Sequence, residues 1–325
     1  MRAVQFSRFG APDEVAEVVD LPELSPPGPG QAAVEFLAAP INPADLLNLR
    51  GQYGIVPTLP AIAGIEGVGV VTATGPGVDH VRVGDRVLLG GGTWRQRHLL
   101  SAAGLFALPP GLPNEQLAML TVNPLTARAL IHDAQLQPGQ WVIKNAANSG
   151  VGRAFFTLAK KAGARGIAVV RRPGLEDTLK GWGAEVVLVD GPDLAERVKA
   201  VVGDGSLPYA VDAVGGSATA RLGAAVSPGG VVVNYGLLSG EPCHLSGVDL
   251  VFRGVVLRGF WLATWFQQTP REGVVKAFAE LIDLLAAGEL TTPIEATYPL
   301  EHVRDALRHA EKPARDGKVL LVAKP

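Results

Sequence analysis

Residues 140 to 172 read QWVIKNAANSGVGRAFFTLAKKAGARGIAVVRR, and the rest of the chain is organised around them. An apolar run, Trp141-Val142-Ile143, leads into the small, flexible residues Ala146 to Gly152. A helical pattern follows, with Phe155, Phe156, Leu158, Ala159 and Ala162 on one side. A second apolar run, Ile167 to Val170, comes after Gly163 and Gly166. The order strand, tight turn, helix, strand predicts a βαβ unit of the length that a parallel crossover needs. Small residues at such a turn let the backbone approach a pyrophosphate, and the free N–H groups of the helix start favour its charge. Gly150 and Gly152 are the glycines here, and Ala147 and Ser149 stand near the earlier glycine positions of the usual dinucleotide pattern.

The end of the second strand selects the cofactor. An Asp or Glu about twenty residues beyond the turn accepts from the ribose 2′-hydroxyl of NAD, whereas arginine suits the 2′-phosphate of NADP. Arg171 and Arg172 occupy that place, and no acid occurs until Glu176. The expected cofactor is therefore NADPH, held by Asn145, Ser149, Gly150, Val151 and Gly152 at the turn and by the two arginines. Thr126, in a helix after Asn123-Pro124, and Tyr235, directly after a later strand, complete the expected cofactor site.

At 325 residues and 33.9 kDa, with 47% hydrophobic and 18% charged residues, the chain can fill two cores. A net charge of −2 supplies no basic field for nucleic acid, so a small-molecule substrate is expected. Cys243, the single cysteine, allows no internal disulfide and fits a reducing compartment. Neither a signal segment nor an apolar run of membrane-spanning length is present, so a soluble, cytoplasmic protein with no membrane partner is expected.

Residues 1 to 110 show short alternating runs: Ala3 to Phe6, Val15 to Val19, Gln31 to Ala38, Ile65 to Ala73, Arg86 to Leu89 and Arg97 to Leu105. Turns rich in Gly and Pro separate them, which predicts a small barrel-like β domain. Asn42 or Pro43 begins a short helix between two of them. After Asn114, strands and helices alternate through Glu185 to Val189, Ala210 to Val214, Gly230 to Asn234 and Val255 to Phe260, the pattern of a doubly wound parallel sheet. A closing segment, helix 272 to 287, strand 295 to 298, helix 303 to 310 and strand 318 to 323, has no phosphate turn and is expected back against the β domain. The fold class is thus α/β, with a β-rich domain over 1–115 and 264–325 and a nucleotide domain over 116–263. A cleft between them is the expected substrate site.

At this point the chain resembles the medium-chain dehydrogenase/reductase superfamily over essentially its full length. Six stretches in order are similar to the 2-enoyl thioester reductases: Ile41-Asn-Pro-Ala-Asp45, Gly51-Gln-Tyr-Gly-Ile-Val-Pro57, Gly92-Thr-Trp-Arg95, Val122-Asn-Pro-Leu-Thr126, Asn145-Ala-Ala-Asn-Ser-Gly-Val-Gly152 and Arg258-Gly-Phe-Trp-Leu262. The resemblance implies a Rossmann sheet joined to a GroES-like barrel. It implies NADPH-dependent reduction of a carbon–carbon double bond conjugated to a thioester of CoA or acyl carrier protein (ACP), and a homodimer. It places the catalytic tyrosine at Tyr53, as proton donor, with Asn42 and Trp261 lining the pocket. Zinc alcohol dehydrogenases of the same superfamily put Cys near Asn42 and His in a Gly-His-Glu turn. Gly64-Ile65-Glu66 stands at that turn here, so no zinc site is expected. Arg95 is expected on the solvated surface. A zinc-free NADPH:quinone oxidoreductase is the alternative reading, followed by a non-catalytic NADPH-binding protein.

Overall fold

The computed structural model describes residues 1–313 and 315–324 and divides into two compact units, Met1–Thr121 with Thr291–Pro325, and Val122–Leu290. The first unit begins with β1 (Arg2–Phe6), β2 (Glu17–Asp20), β3 (Gln31–Pro40), β4 (Ala61–Ile62), β5 (Glu66–Thr74), β6 (Arg86–Gly90) and β7 (Arg97–Ser101). The second unit carries β8 (Trp141–Lys144), β9 (Arg165–Val170), β10 (Ala184–Val189), β11 (Tyr209–Asp212), β12 (Val231–Asn234) and β13 (Val256–Gly259). The chain then returns to the first unit with β14 (Ile294–Pro299) and β15 (Lys318–Val322).

In the second unit all six strands are parallel, in the order β10-β9-β8-β11-β12-β13. The order reverses between β8 and β11, which puts the switch point beside the turn that follows β8. Trp141, Ile143, Ile167, Val169, Ala210 and Val232 fill a core on this sheet. β8 is buried along its whole length, as its apolar run requires. The helix Gly150–Lys161 turns Val151, Ala154, Phe155, Leu158 and Ala159 inward at helical spacing and ends on Lys160 and Lys161, which suit the negative end of its dipole.

In the first unit, β3 is the hub. Its Ala32, Val34, Phe36 and Ala38 alternate inward, and β5 pairs along one edge. The other edge is shared: β7 takes Gln31 to Glu35, and β15 takes Ala38 to Pro40. The helix Val303–Glu311 buries Val303, Ala306, Leu307 and Ala310 in the same core.

Three expectations need adjustment. The strands do not close into a barrel: among the described residues the larger sheet runs β14-β15-β3-β5-β6, while β1 uses both edges for β2 and β4 in a separate sheet. Val15 lies in a helical turn, Pro12–Val15, rather than in a strand, with Pro12 fixing its first position. The stretch 264–290, expected with the β domain, clusters with the second unit. Its long helix Arg271–Ala286 buries Ala277, Phe278, Leu281, Leu284 and Leu285, and Glu280 accepts from Arg128 of the helix Asn123–Ala134 at 2.9 Å.

Candidate active site

In the second unit, the turn after β8 is shaped by its own backbone. Ala146 has φ +44°, a left-handed conformation uncommon outside glycine. Ser149 caps the following helix, its Oγ accepting from the N–H of Gly152 at 3.1 Å. A Cβ on Gly152 would stand 1.9 Å from the carbonyl oxygen of Ala147, so this position admits only glycine without a shift of backbone. The first turn contains no acidic residue. These features fit a dinucleotide pyrophosphate: close backbone approach, open N–H groups and no competing carboxylate.

Beneath the turn lies a buried polar cluster. Asn145 Nδ2 donates to Asp212 Oδ1 at 2.6 Å and its Oδ1 accepts from Ala213 N at 2.8 Å, which ties the ends of β8 and β11 together. Asp212 also accepts from Thr219 Oγ1 (2.6 Å), Val214 N (2.8 Å) and Asn234 Nδ2 (3.1 Å). Burial alone would raise the Asp212 carboxyl, but the hydrogen bonds led by Thr219 and Asn145 outweigh it and hold it below its ordinary value. Lys144 is fully buried and donates to Tyr235 OH at 2.8 Å. Burial pushes the Tyr235 phenol up, opposed by its hydrogen bond with Ser149.

The structure thus brings together Asn145, Ser149, Gly150, Val151, Gly152 and Tyr235. Thr126 is buried in the helix Asn123–Ala134, and Arg171 and Arg172 follow β9 directly, both exposed. Trp261, after β13, is 37% exposed and begins the helix Leu262–Gln268.

Asn42 and Tyr53 belong to the first unit. Asn42 precedes the helix Pro43–Leu49, with Pro43 at its first position, and its backbone N–H donates to Asp45 Oδ2 at 2.8 Å. Its side chain is engaged on both sides: Nδ2 donates to Glu66 Oε1 at 2.7 Å, and Oδ1 accepts from Lys318 Nζ. Asp45 and Glu66 are buried, and burial raises Asp45 to about 7, with Glu66 adding to the shift and the Asn42 N–H and Lys318 opposing it. Burial lowers Lys318 to about 8 against the pull of Glu66 and Asp45. Tyr53 is half-buried in the loop after the helix, which Gln52 N fastens by donating to Leu47 O at 2.9 Å. Arg95 is half-buried rather than solvated, because its Nε donates to His98 Nδ1 at 3.1 Å.

The sequence reasoning missed Lys144, Asp212, Glu66 and Lys318. The available signal was a charged residue inside or ending an apolar strand, as in Trp141-Val-Ile-Lys144 and Ala210-Val-Asp212. Among the described residues no group of three or more His, Cys, Asp or Glu is placed to hold a metal.

The fold has counterparts among known proteins. Residues 28–110 match the alcohol dehydrogenase GroES-like domain, and residues 150–285 match the domain family called zinc-binding dehydrogenase. The rat mitochondrial enoyl-[acyl-carrier-protein] reductase is 38% identical over 330 residues, covering 99% of this chain and 88% of its own. A Bacillus thuringiensis structure provisionally called an NADPH:quinone reductase superposes with TM-score 0.92 at 29% identity, covering 99% of both chains. The complex of Etr1p with NADP and crotonyl-CoA superposes with TM-score 0.88 at 25% identity, again covering 99% of both. The chain belongs to the medium-chain dehydrogenase/reductase superfamily, in the branch of the enoyl thioester reductases.

Proposed function

We propose that the protein reduces the carbon–carbon double bond of trans-2-enoyl thioesters with NADPH. The observation that carries this reading is the full-length similarity to a named enoyl-ACP reductase, joined to a turn whose geometry fits a pyrophosphate. When bound, the reduced nicotinamide supplies a hydride. Saturating the conjugated double bond would also take a proton at the α carbon and a donor for the charge that develops on the thioester oxygen, both of which the chain's own residues would supply. Tyr53 is the proposed donor: its O–H gives that proton, and solvent restores it. Asn42, its amide held by Glu66 and Lys318, and Trp261 are the proposed pocket residues. Ser149, the Gly150–Gly152 backbone, Asn145, Thr126 and Tyr235 are assigned to the cofactor, with Arg171 and Arg172 at its 2′-phosphate.

The acyl carrier is CoA or ACP; Etr1p was captured with crotonyl-CoA. A homodimer through the free edge of β13 would cover Val256 and the neighbouring exposed Val248, Leu250, Val251 and Phe252. No helix among the described residues is long and apolar enough to cross a membrane, and one cysteine suits a reducing compartment such as the cytoplasm.

The B. thuringiensis neighbour keeps quinone reduction as the second reading. Following NADPH oxidation with crotonyl-CoA and then with a benzoquinone separates the two. The expected result is turnover of the enoyl thioester that falls by roughly 10² to 10⁴ in Tyr53→Phe with NADPH affinity unchanged. Fast quinone reduction with no enoyl-CoA activity overturns the reading, and a Tyr53→Phe variant as active as wild type removes the tyrosine from it.

A further inference from the structure

Lys144 has no part in the reading above. It ends β8, one residue before the turn, and is fully buried. Its Nζ donates to Asn145 O and to Tyr235 OH at 2.8 Å each, both neutral oxygens, and stands 4.9 Å from the centre of the Tyr235 ring. The charged group that faces it is Asp212 at the end of β11, whose oxygens are engaged by Asn145, Thr219, Asn234 and the N–H groups of Val214 and Gly215. Tyr235 is the other titratable group against it. An ammonium taken out of water and bonded to neutral oxygens is costly unless an anion comes within reach. The next residues along the chain form the turn built for a diphosphate.

We propose that Lys144 is an additional cofactor-positioning residue: a buried cation whose charge the phosphates of the dinucleotide complete, and whose bonds to Asn145 and Tyr235 hold the turn in its binding shape. The inference rests on the NADPH reading. It carries a proton signature. Burial lowers Lys144 to about 7, with Asp212 pulling the other way, so at pH 8 the free protein holds this amine mostly neutral. Phosphates raise it, and binding takes up a proton. Because the group binds protons more tightly in the complex, the Lys144 contribution to NADPH affinity is complete below about pH 7 and weakens above it, by at most about tenfold per pH unit.

The test is calorimetric titration of the full chain with NADPH at pH 8 in two buffers of different ionisation enthalpy, which counts the protons exchanged. The 2′-phosphate, with a second ionisation near 6, is silent there. The wild type is expected to take up close to one proton. Lys144→Gln, which keeps a polar donor but carries no charge, is expected to take up essentially none and to bind roughly tenfold more weakly at pH 7. Arg171→Ala is expected to weaken binding but keep the uptake. NADPH binding by the wild type without proton uptake overturns the inference alone, as does a folded Lys144→Gln with unchanged uptake. Absence of NADPH binding by the wild type overturns the cofactor reading and this inference together. If Lys144→Gln melts early, the wild-type proton count decides.

Discussion

Two helices begin in nearly the same way and end up with opposite tasks. Pro43–Leu49 in the first unit and Gly150–Lys161 in the second each follow a capping residue with a short polar side chain, Asn42 and Ser149. Three residues past the cap, however, one has Asp45 and the other Gly152. Asp45 folds back on the Asn42 N–H, so the first helix meets its own start with its own carboxyl group. Gly152 has no side chain to offer, and none would fit against Ala147 O. The second helix therefore leaves its end open for an anion that the chain does not supply. A single position decides whether a helix start is a sealed joint or a binding site.

The comparison can be broken by transplanting that position. Gly152→Asp should weaken NADPH binding by roughly a hundredfold or more, since repulsion adds to the steric shift. Gly152→Ala isolates the steric part and should cost about 1–3 kcal/mol in thermal unfolding. Equal NADPH affinity in Gly152→Asp and Gly152→Ala would show that charge plays no part. Next in size, Lys318→Met removes the cation facing Asp45 and Glu66 and should cost about 3 kcal/mol or more in urea unfolding. A smaller effect follows from Asp45. Its folded value, about 7, lies above the ordinary carboxylate range, so the native state holds a proton that the unfolded chain has released. That contribution is complete below about pH 4 and is lost as pH rises through about 7. Wild type should therefore lose about 1 kcal/mol or more between pH 5 and pH 8 relative to Asp45→Asn, measured by urea midpoints. Two parallel curves would exclude the titration. Smallest, Ser149→Ala should lower stability by about 1 kcal/mol, the worth of one cap.

Much of the second unit was legible because its elements announce themselves locally. A buried parallel strand is a short apolar run, and the helix after it shows 3.6-residue spacing; Phe155, Phe156, Leu158 and Ala159 are buried in the helix their pattern predicts. The helix Arg271–Ala286 was equally visible as a helix, but amphipathicity says that a face is buried and not against what. The buried charges were harder still. Lys318 meets Asn42 across 276 residues, a pairing no local window contains. Lys144 and Asp212 sit at strand ends, where a charge ordinarily marks the step into solvent rather than a polar cluster beneath a turn. The open path of the first sheet was hidden for a related reason: alternation predicts strands and faces but not which edges meet.

The shared edge of β3 bears on how the chain is made. Its first half pairs with β7, about sixty residues downstream, but its second half waits for β15, which leaves the ribosome only after the whole second unit has been synthesised. During that interval the first unit carries an unfinished sheet margin, Ala38 to Pro40, while residues 122–290 can already fold as one continuous piece. Pro40, which has no N–H to offer a stray strand, sits at that margin. A strand made after the whole second unit is thus the one that seals the first.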